Sequence, residues 1–302
     1  MRKAVIYVFS GTGNTRYAAD KIADALTNYD VETAIWETRS PFDDAPNPND
    51  FDIVGFGYPV HAFNAPKFFL RFVKSLPKVA NKQAFIFKTS GEPFKLNGAS
   101  SLTLTYILKR KGFKPMLDRH LLMPYNIMFR YDDALAKQMY LHTAQISAPI
   151  AYKIAQNQKE NLRYNFFAAA VMYVFRVQWL GAKLNGPLIH ADKDICTGCG
   201  LCAQMCPTTN ISLKNGIPYF GSQCTMCMSC AFRCPVDAVR PGFLNRWRVN
   251  GAYNYEKLVL DTNVSNQFVD ENTKGYFKLF QKYYDATNKE ISDFNAINEK
   301  NT

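Results

Sequence analysis

Eight cysteines fall between residues 196 and 234, and the remainder of the chain has none. Cys196, Cys199, Cys202 and Cys206 are followed by Pro207, and Cys224, Cys227, Cys230 and Cys234 by Pro235, so each run reads C-x2-C-x2-C-x3-C-P. Every cysteine of the second run lies 28 positions beyond its counterpart, which marks a duplicated unit. Thiolate sulfur is the ligand of iron–sulfur clusters, and it also binds zinc. Zinc modules usually separate two CxxC pairs by a longer loop and mix in histidine, which is absent between Cys196 and Cys234. The spacing therefore favours iron–sulfur chemistry over a pair of zinc sites.

A second constellation lies near the N-terminus. The strand-like run Ala4-Val5-Ile6-Tyr7-Val8-Phe9 enters Ser10-Gly11-Thr12-Gly13-Asn14-Thr15 and then Arg16 to Leu26, where Ala18, Ile22 and Leu26 have helical spacing. A strand, a short loop rich in glycine and hydroxyls, and a helix start form an anion site, because backbone N–H groups converge where the helix terminus favours negative charge. The loop lacks the lysine of a nucleotide P-loop and the third glycine of the dinucleotide fingerprint. Hydroxyls in place of a cation suit a terminal phosphate held by many hydrogen bonds.

Both constellations resemble known families. The cysteine runs carry the pattern of bacterial two-cluster ferredoxins, in which the fourth cysteine of each run ligates the other cluster. That resemblance implies one 4Fe-4S cluster on Cys196, Cys199, Cys202 and Cys234, and another on Cys224, Cys227, Cys230 and Cys206. The S-x-T-G-x-T loop resembles the FMN phosphate loop of flavodoxins, with Ser10, Thr12, Asn14 and Thr15 as side-chain donors and Gly11 and Gly13 between them.

The elements that must position these groups alternate in type. Val31 to Trp36, Phe51 to Gly57, Gln83 to Phe87 and Phe113 to Met123 read as strands. Helices are expected after Pro66, over Leu102 to Leu108, and over Asp133 to Gln158 with Asp132 or Asp133 as its cap. The expected fold class is α/β, a flavodoxin-like doubly wound five-stranded parallel sheet over residues 1–160, followed by a small α+β ferredoxin-like two-cluster domain over 187–248. In such a sheet ligands sit beyond the carboxyl ends of the strands. The loop from Tyr58 through Pro59, Val60 and His61 to Pro66, and a second loop at Thr89-Ser90-Gly91, are thereby placed to flank an isoalloxazine, with Tyr58 as the stacking ring and His61 as a stabiliser of the anionic reduced ring or a carrier of a proton. The aromatic loop from Pro124 to Tyr131 is a candidate lid.

Residues 161–186 form an apolar helical linker. Arg176 and Gln178 interrupt its apolar run before the roughly 18 residues a membrane span needs. A helix apolar nearly all round requires cover on most of its surface. Packing between the two domains is the first expectation, with a homodimer or partner contact, or a lipid surface flanked by Arg163, Arg176 and Lys183, as alternatives. Between the cysteine runs, Asn215-Gly216 signals a tight hairpin joining Ile211–Lys214 to Ile217–Phe220. The tail, 249–302, should pack on the body through aromatic residues between Tyr276 and Tyr284, and fray from Ile297.

The 302 residues, 47% of them hydrophobic, suffice for two cores. With no cysteine outside the runs no disulfide is available, and the opening Met-Arg-Lys does not introduce a signal peptide, so a reducing cytoplasmic setting is expected. The formal charge of +11 is spread along the chain, and bound clusters and a flavin phosphate would lower it to about +5. No basic stripe or reading module for nucleic acid is visible, and an acidic redox protein is the expected partner.

Together the two parts resemble flavodoxin-ferredoxin fusion proteins of anaerobic metabolism, over nearly the whole chain to about residue 245. The resemblance implies electron transfer between two 4Fe-4S clusters, FMN and a redox partner. A flavin-dependent reductase of a small acceptor and a flavin-free partner-docking ferredoxin are the alternatives. No nicotinamide fingerprint, second substrate domain, catalytic cysteine or serine elbow is present to indicate a complete dehydrogenase.

Overall fold

The computed structural model describes residues 1–160, 166–247 and 253–299; Arg163 and Arg248 therefore lie outside the described residues. Its N-terminal part alternates strand and helix: β1 (Arg2–Val8), α1 (Asn14–Leu26), β2 (Val31–Glu37), β3 (Ile53–Pro59), α2 (Lys67–Ser75), β4 (Lys82–Ser90), α3 (Leu102–Arg110), β5 (Phe113–Leu122) and α4 (Asp133–Ala155). The strands form one parallel sheet in the order β2-β1-β3-β4-β5, which is the flavodoxin-like doubly wound order.

Strand alternation sorts side chains into two cores. Ala4, Ile6 and Val8 of β1 face α1 and α4, while Val5, Tyr7 and Phe9 face α2 and α3. Such burial stabilises by about 1.5–3 kcal/mol per large apolar side chain. Gly55 and Gly57 leave room for the rings of Phe85 and Phe87, whose Cζ atoms would lie 2.4 and 2.2 Å from any added Cβ. Asp132 caps α4 by accepting a hydrogen bond from the Ala134 N–H at 2.8 Å, which satisfies one of the helix's unpaired donors.

Beyond this sheet, α5 (Phe166–Val174), a 3-10 turn at Phe175–Val177 and α6 (Gln178–Asn185) run on as one stretch. Ala168 and Met172 pack on Leu96, Ala99 and Leu102. The expected cover is only half present: Phe166, Phe167, Tyr173, Val174, Val177, Leu180 and Leu184 face outward. No described helix is long and apolar enough to cross a membrane.

The cysteine segment repeats itself in three dimensions. It comprises β6 (His190–Ala191), α7 (Leu201–Gln204), β7 (Ile211–Lys214), β8 (Ile217–Phe220), α8 (Ser229–Phe232) and β9 (Val239–Arg240). The 28-residue period relates α7 to α8, and it relates left-handed φ angles at Gly198 and Met226 (69° and 52°), Gly200 and Met228 (74° and 62°), and Thr209 and Asp237 (50° and 51°). Strands β7 and β8 pair antiparallel across Asn215-Gly216, both at positive φ as a type I′ turn requires.

The tail supplies α9 (Tyr255–Leu260) and α10 (Lys278–Glu299), with Tyr253, Leu258, Phe280 and Tyr284 completing the core around α4. Lys153 and Arg119 meet Glu290 from α10 and also pair with Glu160. Helix α10 runs to Glu299, and residues 300–302, the rest of the stretch expected to fray, lie outside the described residues.

Candidate functional site

The carboxyl ends of β1, β3 and β4 open on a cavity of about 560 Å³, within the range of cofactor sites. Ser10, Gly11, Thr12, Asn14, Thr15, Pro59, Val60, His61, Thr89, Ser90 and Gly91 line it, so the structure brings together nearly all the groups singled out at this end of the sheet. Gly13 stands behind them at φ 103° and opens α1.

Most of the loop's side chains are already engaged. Ser10 Oγ accepts from the N–H groups of Gly13 and Arg16, at 3.2 Å each. The Thr15 and Thr89 hydroxyls meet at 2.7 Å, tying the first loop to the third strand of the site. Asn14 donates to the Pro124 carbonyl and accepts from Tyr140, while Thr12 Oγ1 accepts from Asn126. Among the described residues the backbone N–H groups of Thr12, Asn14 and Thr15 have no protein acceptor. These donors, at a helix start, fit a phosphate without a lysine. Arg16 does not supply the missing cation, because Asp20 and Glu37 hold its guanidinium at 2.8 and 3.1 Å.

A guanidinium approaches the loop at Gly13, outside the cavity lining. The Arg233 guanidinium, from the end of α8, lies 3.8 Å from where a Cβ on Gly13 would stand. No local pattern ties it to the loop.

Tyr58 does not join the site. Its ring is wholly buried in the core beside Phe69, with centroids 5.8 Å apart, and its hydroxyl meets Ser100 Oγ at 3.0 Å. Phe63, Phe94, Tyr125 and Phe175 are the large aromatic rings that line the cavity, and Tyr125 crosses Gly91 so closely that an added Cβ would lie 2.7 Å from the ring. Pro124 to Met128 thus form a wall of the cavity.

His61 is a neutral ring at pH 7: burial pulls its imidazole down to about 4, against a backbone hydrogen bond at Thr225. Behind the second loop, Ser90 Oγ meets His120 Nε2 at 2.6 Å and accepts from Asn97 Nδ2 at 3.0 Å. Burial, helped by Lys88, holds His120 down at about 3. Lys88 itself is paired with Asp118 at 2.7 Å inside the protein. His120 and Asn97 fix the Ser90 loop, and they reach it from β5 and from the 3-10 helix at Lys95–Ser101.

The cysteines surround two separate hollows. Cys206, Cys224, Cys227 and Cys230 line one, with Met226, Met228 and Phe220; Cys196, Cys199, Cys202 and Cys234 line the other. Backbone N–H groups donate to sulfur at Asn210 (to Cys206, 3.3 Å), Met226 (to Cys224, 3.3 Å) and Ala238 (to Cys234, 3.2 Å). Burial pushes the Cys227 thiol up to about 12 and Cys230 well above its ordinary value. Bare thiolates are costly here, and a bound metal centre would supply the charge that draws the protons off. Among the described residues no group of three or more His, Cys, Asp or Glu side chains is gathered tightly enough for a single metal ion, whereas four cysteines around each hollow, with N–H donors to sulfur, fit the wider span of an iron–sulfur cluster.

The two parts come closest to the cavity at Gly11. The Cys227 carbonyl oxygen lies 2.2 Å from the position of a Cβ on Gly11, and Cys227 lines both its own hollow and the large cavity.

A family model described as a 4Fe-4S binding domain matches residues 189–212, which contain the first cysteine run. Similar solved structures include oxidised Flavodoxin 1 from Bacillus cereus, 19% identical over 47% of this chain and 95% of that one, with a TM-score of 0.34. Oxidised Flavodoxin 2 from Bacillus cereus is 16% identical over 51% and 98%, with a TM-score of 0.38. Rubredoxin oxygen:oxidoreductase from Desulfovibrio gigas is 19% identical over 51% of this chain and 37% of that one, at 0.33. The strand order, independent of these likenesses, carries the fold assignment. No curated protein matches the chain.

Proposed function

We propose that the chain is an electron-transfer iron–sulfur flavoprotein holding FMN in the large cavity and a 4Fe-4S cluster in each hollow, set out as a line. A 4Fe-4S cluster supplies one-electron chemistry, and FMN supplies one- and two-electron chemistry. The carrying observation is the contact of Cys227 with Gly11, which sets the hollow of Cys206, Cys224, Cys227 and Cys230 against the flavin cavity. The other hollow shares no lining residue with that cavity, and Cys199 beside it is exposed, so it is the outer member of the line.

The residues divide the work. Thr12, Asn14 and Thr15 hold the FMN phosphate through their N–H groups, with Arg233 adding positive charge. Val60, Tyr125 and Met226 exclude water from the ring, and neutral His61 offers a hydrogen bond rather than a charge. The partner is an acidic redox protein, favoured by the net positive charge and by exposed Lys193, Lys214 and Arg246 in the cysteine segment.

Anaerobic stopped-flow reduction by a one-electron protein donor tests the order. Cys230→Ala should retain FMN yet lose most of the donor-dependent flavin reduction. A wild-type rate in a Cys230→Ala protein that lacks the inner cluster would overturn the line.

A further inference from the structure

The outward face of residues 166–184 carries a regular apolar seam. Phe166, Ala170, Tyr173, Val177, Leu180 and Leu184 follow one another at intervals of four, three, four, three and four. That is a period of 3.5, the spacing that keeps a helix seam facing a partner helix. All six are exposed, and the five large ones are between 57% and 90% exposed. The opposite face, Ala168 and Met172, is already used against Leu96, Ala99 and Leu102.

We propose that this seam pairs with the same seam of a second copy of the chain, antiparallel about a two-fold axis beside Phe175. That pairing sets Phe166 against the partner's Leu184, Ala170 against the partner's Leu180, and Tyr173 against the partner's Val177. Each contact joins a larger residue to a smaller one, as interdigitation requires. Ala169 and Gly181 on the flanks allow the backbones to approach.

The area agrees. With a whole aromatic side chain presenting about 150–250 Å², the seam together with exposed Phe167 and Val174 offers roughly 800 Å² of apolar surface. A stable interface takes about 800 Å² from each partner, whereas the largest patch of a typical monomer is about 300–600 Å². A lipid surface fits less well, because it favours a broad apolar face edged by basic residues. Here Arg176 turns inward, donating to Thr103 Oγ1 and lying 4.1 Å from the Tyr173 ring centroid, which leaves Lys183 as the one exposed basic residue of that flank among the described residues.

Sedimentation equilibrium of the holoprotein, with and without phosphatidylserine vesicles, tests the pairing. Wild type should be a dimer at about 10 µM, and Val177→Glu with Leu180→Glu, or Ala170→Arg alone, should weaken self-association at least about tenfold. Flavin and cluster absorbance should be unchanged, because these side chains are exposed and line no cofactor site. Tyr106→Glu, exposed but off the seam, should leave the dimer intact. A monomer up to about 100 µM, a dimer indifferent to the seam variants, or monomers that sediment only with vesicles would each overturn the proposal.

Discussion

Replacing Gly11 by alanine would put a methyl group 2.2 Å from the Cys227 carbonyl oxygen and 2.9 Å from its Cβ. Gly11 does not have a left-handed φ, so alanine meets no backbone penalty and the substitution isolates the contact. Ordinary non-bonded separations are about 3.5 Å, so the two loops must part by roughly 1 Å. Overpacking of this kind costs about 1–3 kcal/mol, equivalent to roughly 5- to 150-fold in an equilibrium constant. If the phosphate loop yields, FMN affinity falls; if the cysteine loop yields, the inner hollow moves away from the cavity and cluster-dependent flavin reduction slows. FMN titration of the flavin-depleted protein, thermal unfolding of the holoprotein and stopped-flow reduction together read all three responses. Gly98→Ala is the control, since nothing lies within 4 Å of its added Cβ. A Gly11→Ala protein matching Gly98→Ala in affinity, midpoint and rate would refute the contact as the junction of the two parts.

Thr12→Val keeps the N–H but removes the hydroxyl, which accepts from Asn126 and can donate its own proton to the phosphate, so it should weaken FMN binding by about 1–3 kcal/mol and leave riboflavin affinity nearly unchanged in parallel fluorescence titrations. Arg233→Ala should discriminate between the same two ligands, with an effect that shrinks as salt is added, because the side chain is exposed. His142 is held down to about 4 by burial, so its neutral form supports folding above the unfolded value near 6.5 and that support fades as pH falls toward 4. Between pH 7 and pH 5 the wild type should therefore lose about 2 kcal/mol more stability than His142→Gln in anaerobic denaturant titrations. If cluster ligation follows the two hollows, Cys206→Ala should damage the cluster of the second run and Cys234→Ala that of the first, as judged by iron content and spectroscopy of each variant.

The sheet was legible because its buried strands are near-continuous apolar runs and its loops carry glycine and proline, so Val31 to Trp36 and Phe51 to Gly57 appear within two residues of β2 and β3. The five strands followed from the alternation of elements, and their doubly wound arrangement from the resemblance to flavodoxins. Tyr58 shows where loop position misleads. It shares strand parity with Val54 and Phe56, and that parity sends it into the same core. Among the rings that do reach the cavity, Tyr125 lies in the loop whose aromatic content exceeded a connector's needs. Arg233 was not legible as a neighbour of Gly13, since 220 residues separate the two and only tertiary packing joins them. For residues 166–184 the composition showed a need for cover, but the exposed seam appears only once the packed face is known.

The central claim, that one chain holds two 4Fe-4S clusters and FMN, is tested most directly by measuring iron, acid-labile sulfide, zinc and flavin in protein purified without oxygen. The account predicts about eight iron atoms, about eight sulfides and about one FMN per chain, with little zinc. Zinc in place of iron, about four iron atoms in fully folded protein, or clusters without flavin would contradict it.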